Sequence, residues 1–291
     1  MKPTEHFLDV RGLKIHYVEW GEPDSQPLIL VHGFLDHARS WDPFVRHVQE
    51  TAASPSRIIA LDCRGHGDSG WVGAGGYYHF ADYIFDLHML IESLHVAKVI
   101  LMGHSMGGSI SFQYTGAFPK HVGKLILVEG LGPVALPFSD APRRMEQWIS
   151  EVRAVARREG TEYPTLEDAA RRLQRQNPRL ASDLALHLAR FGMKQKENGN
   201  WIWKFDPLHR TTAPQPFYLG HALAFFHRIE CPVLLVRGKE SRQQHRTDLQ
   251  ERINAVSHHT RVEIEAAGHM VHQDNPAQLA NVVADFLQSL P

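Results

Sequence analysis

Val99-Ile100-Leu101-Met102-Gly103-His104-Ser105-Met106-Gly107-Gly108 is an apolar strand that stops at Gly-x-Ser-x-Gly and runs straight into a helix-like segment, Ser109 to Phe118. A serine between two glycines at such a turn has a mechanical reason to be there. The backbone bends so sharply that side chains at the flanking positions would collide. The bend lifts the Ser105 hydroxyl above the sheet, beside helix N–H groups that favour developing negative charge.

Strand and helix patterns alternate outward from this turn. His6–Val10 and Lys14–Trp20 flank Arg11-Gly12 and predict a hairpin. Leu28–Val31, Arg57–Leu61 and Lys124–Val128 are short, wholly apolar runs, as expected of parallel strands covered on both faces. Helices are predicted from Ser40 or Trp41 to Glu50, with Pro43 in the first turn, and over His79–His95 by apolar spacing. From Leu131 to Ile229 the strand runs cease. Helices near Pro142–Glu159, Thr165–Gln176 and Arg179–Phe191 precede an aromatic stretch, Trp201–Phe205. The alternation resumes with a strand over Pro232–Gly238, a helix over Asp248–Ala255, a strand over Arg261–Glu265 and a helix near Asn275–Leu290. The pattern implies a doubly wound, mostly parallel α/β sheet formed by 1–130 and 230–291, with a helical lid at 131–229 inserted after the strand ending at Glu129.

Composition narrows the function. A chain of 291 residues with 43% hydrophobic residues can bury a full core, and a net charge of −1 gives no reason to expect nucleic acid or an anionic membrane. The arginines between Arg143 and Arg175 alternate with acidic residues and read as a solvated helical surface. Cys63 and Cys231 adjoin buried strands and read as reduced core thiols. No leader or membrane span is apparent, so a cytoplasmic protein is the expectation. His258-His259 and His269-x-x-His272 lack further ligands at metal spacing, so neither metal nor cofactor is expected. Oligomeric state is unreadable here.

In a sheet of this kind the ligand lies at the C-terminal strand ends. There the sequence places His32-Gly33-Phe34, the run from Asp62 to Ser69, Ser105, Glu129, Glu240-Ser241 and His269. A serine needs a base to take its proton and a third group to orient that base. His269, in a loop after the last strand, is the best base.

Taken together, His32-Gly33-Phe34, Asp62-x-Arg64-Gly65-His66-Gly67-x-Ser69, Gly103-His104-Ser105-Met106-Gly107-Gly108 and Gly268-His269 with Asn275-Pro276 resemble an α/β-hydrolase of the serine-hydrolase-like and esterase branch, over essentially the whole chain. The resemblance implies Ser105 as nucleophile, His269 as base, and the backbone N–H groups of Phe34 and Met106 as oxyanion hole. The usual acid of the family stands three residues after the glycine closing the penultimate strand. Here that glycine is Gly238 and the position holds Ser241. Glu129 is taken as the acid, as in one group of haloalkane dehalogenases that the segment Val128–Pro133 resembles. Glu240 is the alternative, with Asp62 behind it.

Asp62 and Arg64 read as a structural turn, His66 and His104 as packing beside the site, and Trp201 and Trp203 as lid core. Asp36 reads as a surface or helix-entry residue. The implied activity is carboxylic-ester hydrolysis of a small molecule through a Ser-His-Glu triad and an acyl-enzyme. A carbon–carbon bond hydrolase, a thioesterase with the same triad, and a non-catalytic ligand-binding homologue are the alternatives. Epoxide hydrolases and dehalogenases of this fold carry Asp at the nucleophile, which Ser105 is not.

Overall fold

The computed structural model describes residues 2–51, 55–155, 160–242 and 246–289. β1 (Thr4–Val10) and β2 (Leu13–Gly21) form the expected hairpin, turned by Arg11 and Gly12 at positive φ. β3 (Pro27–Val31), β4 (Arg57–Leu61), β5 (Val99–His104) and β6 (Val122–Val128) follow, joined by α1 (Asp42–Gln49), α2 (Phe80–Ser93) and α3 (Met106–Ala117). Next come α4 (Ala141–Val155), α5 (Leu166–Gln176), α6 (Ser182–Gly192), a ribbon of β7 (Met193–Gln195) with β8 (Trp201–Trp203), and α7 (Leu219–Phe226). β9 (Val233–Gly238), α8 (Leu249–Asn254), β10 (His259–Ile264), α9 (Val271–Asp274) and α10 (Pro276–Gln288) close the chain.

Eight strands form one sheet in the order β1-β2-β4-β3-β5-β6-β9-β10. The pairings of β1 with β2 and of β2 with β4 are antiparallel, and the rest are parallel. The chain leaves β3 for β4 on one side and returns to β5 on the other. The crevice between the ends of β3 and β5 is therefore the topological switch point, where such sheets bind ligands.

Both faces of the sheet are covered, so side chains of alternating direction are all apolar. Ile29, Val31, Ile59, Leu125 and Leu127 meet α2, α3 and α7 on one face. Leu28, Leu30, Ile58, Ile126 and Val128 meet α1 and α10 on the other. α3 is buried along most of its length and packs against α2, α7, β5 and β6. α5 and α6 form a small core of their own around Ala169, Ala185, Leu188 and Met193, with Trp201 and Trp203 half-buried against it. α7 instead packs on α3, Phe226 against Phe112 at 4.2 Å.

Some expected boundaries move. α4 begins at Ala141, and the stretch 156–159, expected to finish that helix, lies outside the described residues, as does Leu290 at the end of the last helix. α6 begins at Ser182, which leaves Arg179 in the turn before it. α7 had no sequence signal: its N-cap is Tyr218, which makes no side-chain capping bond. Among the described residues no helix is long and apolar enough to cross a membrane.

Candidate active site

Ser105 closes β5. Its N–H donates to the Val128 carbonyl at 3.0 Å, which extends the β5–β6 ladder by one residue, and α3 starts at Met106. The change of direction falls on Ser105 itself, at φ 52° and ψ −111°. The flanking glycines are required by close approach. A Cβ on Gly107 would lie 2.1 Å from the Val31 carbonyl oxygen, and one on Gly103 would lie 2.3 Å from the Gly107 carbonyl oxygen. The serine is thus raised at the switch point because α3 is pressed against the strands beneath it.

His269 lies between β10 and α9, with Nε2 3.0 Å from the Ser105 Oγ. Its Nδ1 faces Glu129 Oε2 at 3.3 Å. Glu129 follows β6, its N–H bonded to the Val236 carbonyl at 2.9 Å, and its φ of 53° turns the side chain toward His269. The Glu129 side chain is 1% exposed and that of His269 38%. A carboxylate facing Nδ1 favours the tautomer with the proton there, which turns the Nε2 lone pair toward the serine hydroxyl. The carboxylate is also held from the turn after β9: Gly238 N–H donates to Oε1 at 2.9 Å and the Ser241 hydroxyl to Oε2 at 2.7 Å. Glu240 points elsewhere; it is half-exposed and paired with Arg179.

The loop after β3 brings Phe34 to the same place. The Cys63 N–H donates to His32 Nε2 at 3.0 Å, so the ring proton is on Nδ1, which donates to the Gly33 carbonyl at 2.7 Å. Holding that carbonyl fixes the Gly33–Phe34 peptide and the direction of the Phe34 N–H. Met106 is the first residue of α3, so its N–H has no carbonyl one turn earlier in the helix. The Phe34 ring is exposed and meets His209 edge-on at 6.4 Å between centroids.

His104 backs His269. Its Nε2–H donates to the His269 carbonyl at 2.8 Å, and its ring lies 4.9 Å from that of His269 and 4.6 Å from that of His272. Burial, then the neighbouring His272 and His269, push its pKa well below the ordinary imidazole value. The loop carrying His269 is also tied down at Gly268, whose N–H donates to Asp274 Oδ2 at 2.8 Å. The other oxygen of Asp274 accepts from the Asn177 side chain, in the turn between α5 and α6, at 2.7 Å.

One expectation is corrected. Asp36 is buried, not at the surface: its Oδ2 lies 3.2 Å from His272 Nε2 and its Oδ1 accepts the His37 N–H at 3.0 Å. Burial alone would raise its pKa, but the His272 bond and the surrounding histidines hold it well below the carboxylate range. Asp62 and Arg64 form a structural turn, as expected, each with partners of its own. Arg64 makes a two-pronged pair with Asp86 of α2, at 2.6 Å on each arm. Asp62 accepts from the Ala38 and Asp68 N–H groups and from His16, at 2.6, 2.9 and 2.6 Å.

Sequence reasoning missed His209. It stacks on His66 at 4.0 Å and on Tyr78 at 3.9 Å, and burial lowers its pKa to about 4. The available signal was Asp206-Pro207, a cap followed by a first-turn proline: Asp206 accepts the Leu208 N–H and starts the short turn that carries His209 inward. Among the described residues, His16, Asp62 and Asp68 approach metal-ligand spacing. Both nitrogens of His16 are engaged by carboxylates, Asp62 and Glu5, so the ring has no lone pair for an ion.

Comparison with known proteins identifies the family. The sequence model of the α/β-hydrolase family matches residues 28–282. The 3-hydroxybutyrate-oligomer hydrolase of Cupriavidus necator is 28% identical over 275 residues, spanning 92% of this chain and 90% of its own. A solved structure of a hypothetical protein from Pseudomonas aeruginosa PAO1 is similar, with a TM-score of 0.88 at 28% identity over 98% of this chain and 99% of that one. The thioesterase domain from the curacin biosynthetic pathway follows at a TM-score of 0.87 and 25% identity, covering 98% and 100%. With a doubly wound sheet, a serine raised at its switch point and a family match over most of its length, the chain belongs to the α/β-hydrolase family.

Proposed function

We propose that the chain hydrolyses carboxylic esters through Ser105, His269 and Glu129. The observation that carries the reading is the unbroken line from the Ser105 Oγ to His269 Nε2 at 3.0 Å and from Nδ1 to Glu129 Oε2 at 3.3 Å. Ser105 attacks the ester carbonyl while His269 takes its proton, and Glu129 stabilises the imidazolium that results. The oxyanion accepts from the Phe34 and Met106 N–H groups, each worth about 3 kcal/mol in the transition state. His269 then protonates the departing alcohol, water enters by the same base, and the acid is released. The segment 131–229 acts as a lid whose lining selects the substrate. The ester class is supported by the similarity to a hydrolase of 3-hydroxybutyrate oligomers.

Thioester cleavage is the second reading, favoured by the similarity to the curacin thioesterase domain. The same acyl group offered as an alcohol ester and as a thiol ester separates the two through kcat/KM. Ser105→Ala should abolish turnover of both, and a fluorophosphonate should label the native chain at Ser105. Turnover that persists in Ser105→Ala would falsify the mechanism. A folded native chain that neither labels nor turns over would instead be a ligand-binding homologue.

A further inference from the structure

We infer that Ser241 is a positioning residue for Glu129. The inference rests on the Ser-His-Glu reading above. The Ser241 hydroxyl and His269 Nδ1 converge on one oxygen, Glu129 Oε2, at 2.7 and 3.3 Å. A carboxylate oxygen accepts along two lone-pair directions, so the serine bond leaves the second direction for the imidazole.

Both ends of the Glu129 carboxylate are held by one short turn. Gly238 N–H takes Oε1 and Ser241 takes Oε2, while the Ser241 N–H closes the turn on the Gly238 carbonyl at 3.0 Å. The turn is itself fixed to the strand and loop that carry His269: Lys239 N–H donates to the Ile264 carbonyl and Glu240 N–H to the Ala267 carbonyl, each at 2.9 Å. Ser241 is 1% exposed, so its hydroxyl is shielded from bulk water. Glu129 also adopts a left-handed backbone that a non-glycine residue holds only when its surroundings fix it. Acid and base are therefore set by the same few residues.

The test uses the full chain and a 4-nitrophenyl ester, with kcat and KM followed through the pH range in which the imidazole titrates. Ser241→Ala should lower kcat about 10- to 100-fold, the range expected for a misplaced catalytic partner, and leave KM unchanged. It should also move the acid limb of the profile to lower pH, because a carboxylate no longer held against Nδ1 stabilises the imidazolium less. The titratable and charged groups around His269 and its loop include Glu129, His104, His272 behind His104, and Asp274 and Arg179 beside Gly268. None of these is altered in this variant.

Ser241→Thr keeps the donor and should keep the native limb. Circular dichroism and melting curves establish that each variant is folded. A native kcat and pH limb in Ser241→Ala, or a loss in Ser241→Thr as large as that in Ser241→Ala, overturns the inference. In either case, loss of turnover in Ser105→Ala together with labelling of Ser105 shows that the hydrolase reading still stands.

Discussion

Glu129 and Glu240 are the two carboxylates that the strand-end sequence offers to His269, and their surroundings separate them. Glu129 is buried with a donor on each oxygen, whereas Glu240 is half-exposed beside Arg179. Glu129→Gln keeps the volume but removes the charge that fixes the tautomer of the base, so kcat should fall by about 10⁴. Glu240→Gln should leave kcat within about twofold, because an exposed ion pair contributes little. Steady-state kinetics on the two variants decides between them; the reverse ranking would move the acid to Glu240. Gly107 gives a packing prediction at the same scale. With the Val31 carbonyl 2.1 Å from the added methyl, Gly107→Ala should cost about 3 kcal/mol, seen as a lower urea midpoint at constant m.

Among the elements, the loops at the ends of β3 and β4 act as a pair. His32 bridges them, receiving from Cys63 and donating to Gly33. Its replacement by Ala should release the Phe34 N–H and lower kcat about 10²- to 10³-fold with little change in KM, the cost of one oxyanion donor. Arg64 ties the β4 turn to α2 through Asp86, and both partners are buried. Arg64→Ala strands a buried carboxylate and should destabilise by about 3–5 kcal/mol, while Arg64→Met/Asp86→Leu should cost much less. Denaturant melts of the two would show it.

Legibility at this scale follows the range of the interactions. Ser105 and its glycines could be read because strand, bend and helix are contiguous. His269 could be read because a loop after the last strand has few other places to go. The partnership of Ser241 with Glu129 could not, since it depends on the register of β6 against β9. Asp36 looked like a surface residue because its burial comes from α9, whose His272 lies far along the chain. α7 escaped because its start carries no side-chain cap and Pro214 and Pro216 precede it.

For the whole molecule, charge buried at the sheet margin sets the pH dependence of stability. His16 lies between Asp62 and Glu5, each 2.6 Å from one ring nitrogen. Burial lowers its pKa, but the bonds to the two carboxylates outweigh burial and raise it above the ordinary 6.5. Its contribution is thus complete below the unfolded imidazole value and is lost as pH rises through the folded one. Asp62 behaves in the opposite sense. Burial raises its pKa, but His16 and nearby histidines bring it below the ordinary 3.8, so its contribution is lost as pH falls through the folded value. The difference in melting temperature between the native chain and His16→Gln should be largest in mildly acidic solution and shrink toward alkaline pH. A difference that grows with pH would contradict the charged clamp.

Asp274 is shared between two parts of the molecule. One oxygen holds the Gly268 N–H at the root of the base loop, and the other holds Asn177 in the turn between α5 and α6. The same turn, through Arg179, is paired with Glu240, next to Ser241. The turn therefore bears on where His269 is held. On the function proposed above, a bulky substrate that displaces the turn also strains the loop carrying His269, so substrate size is limited by that strain as well as by the space above Ser105.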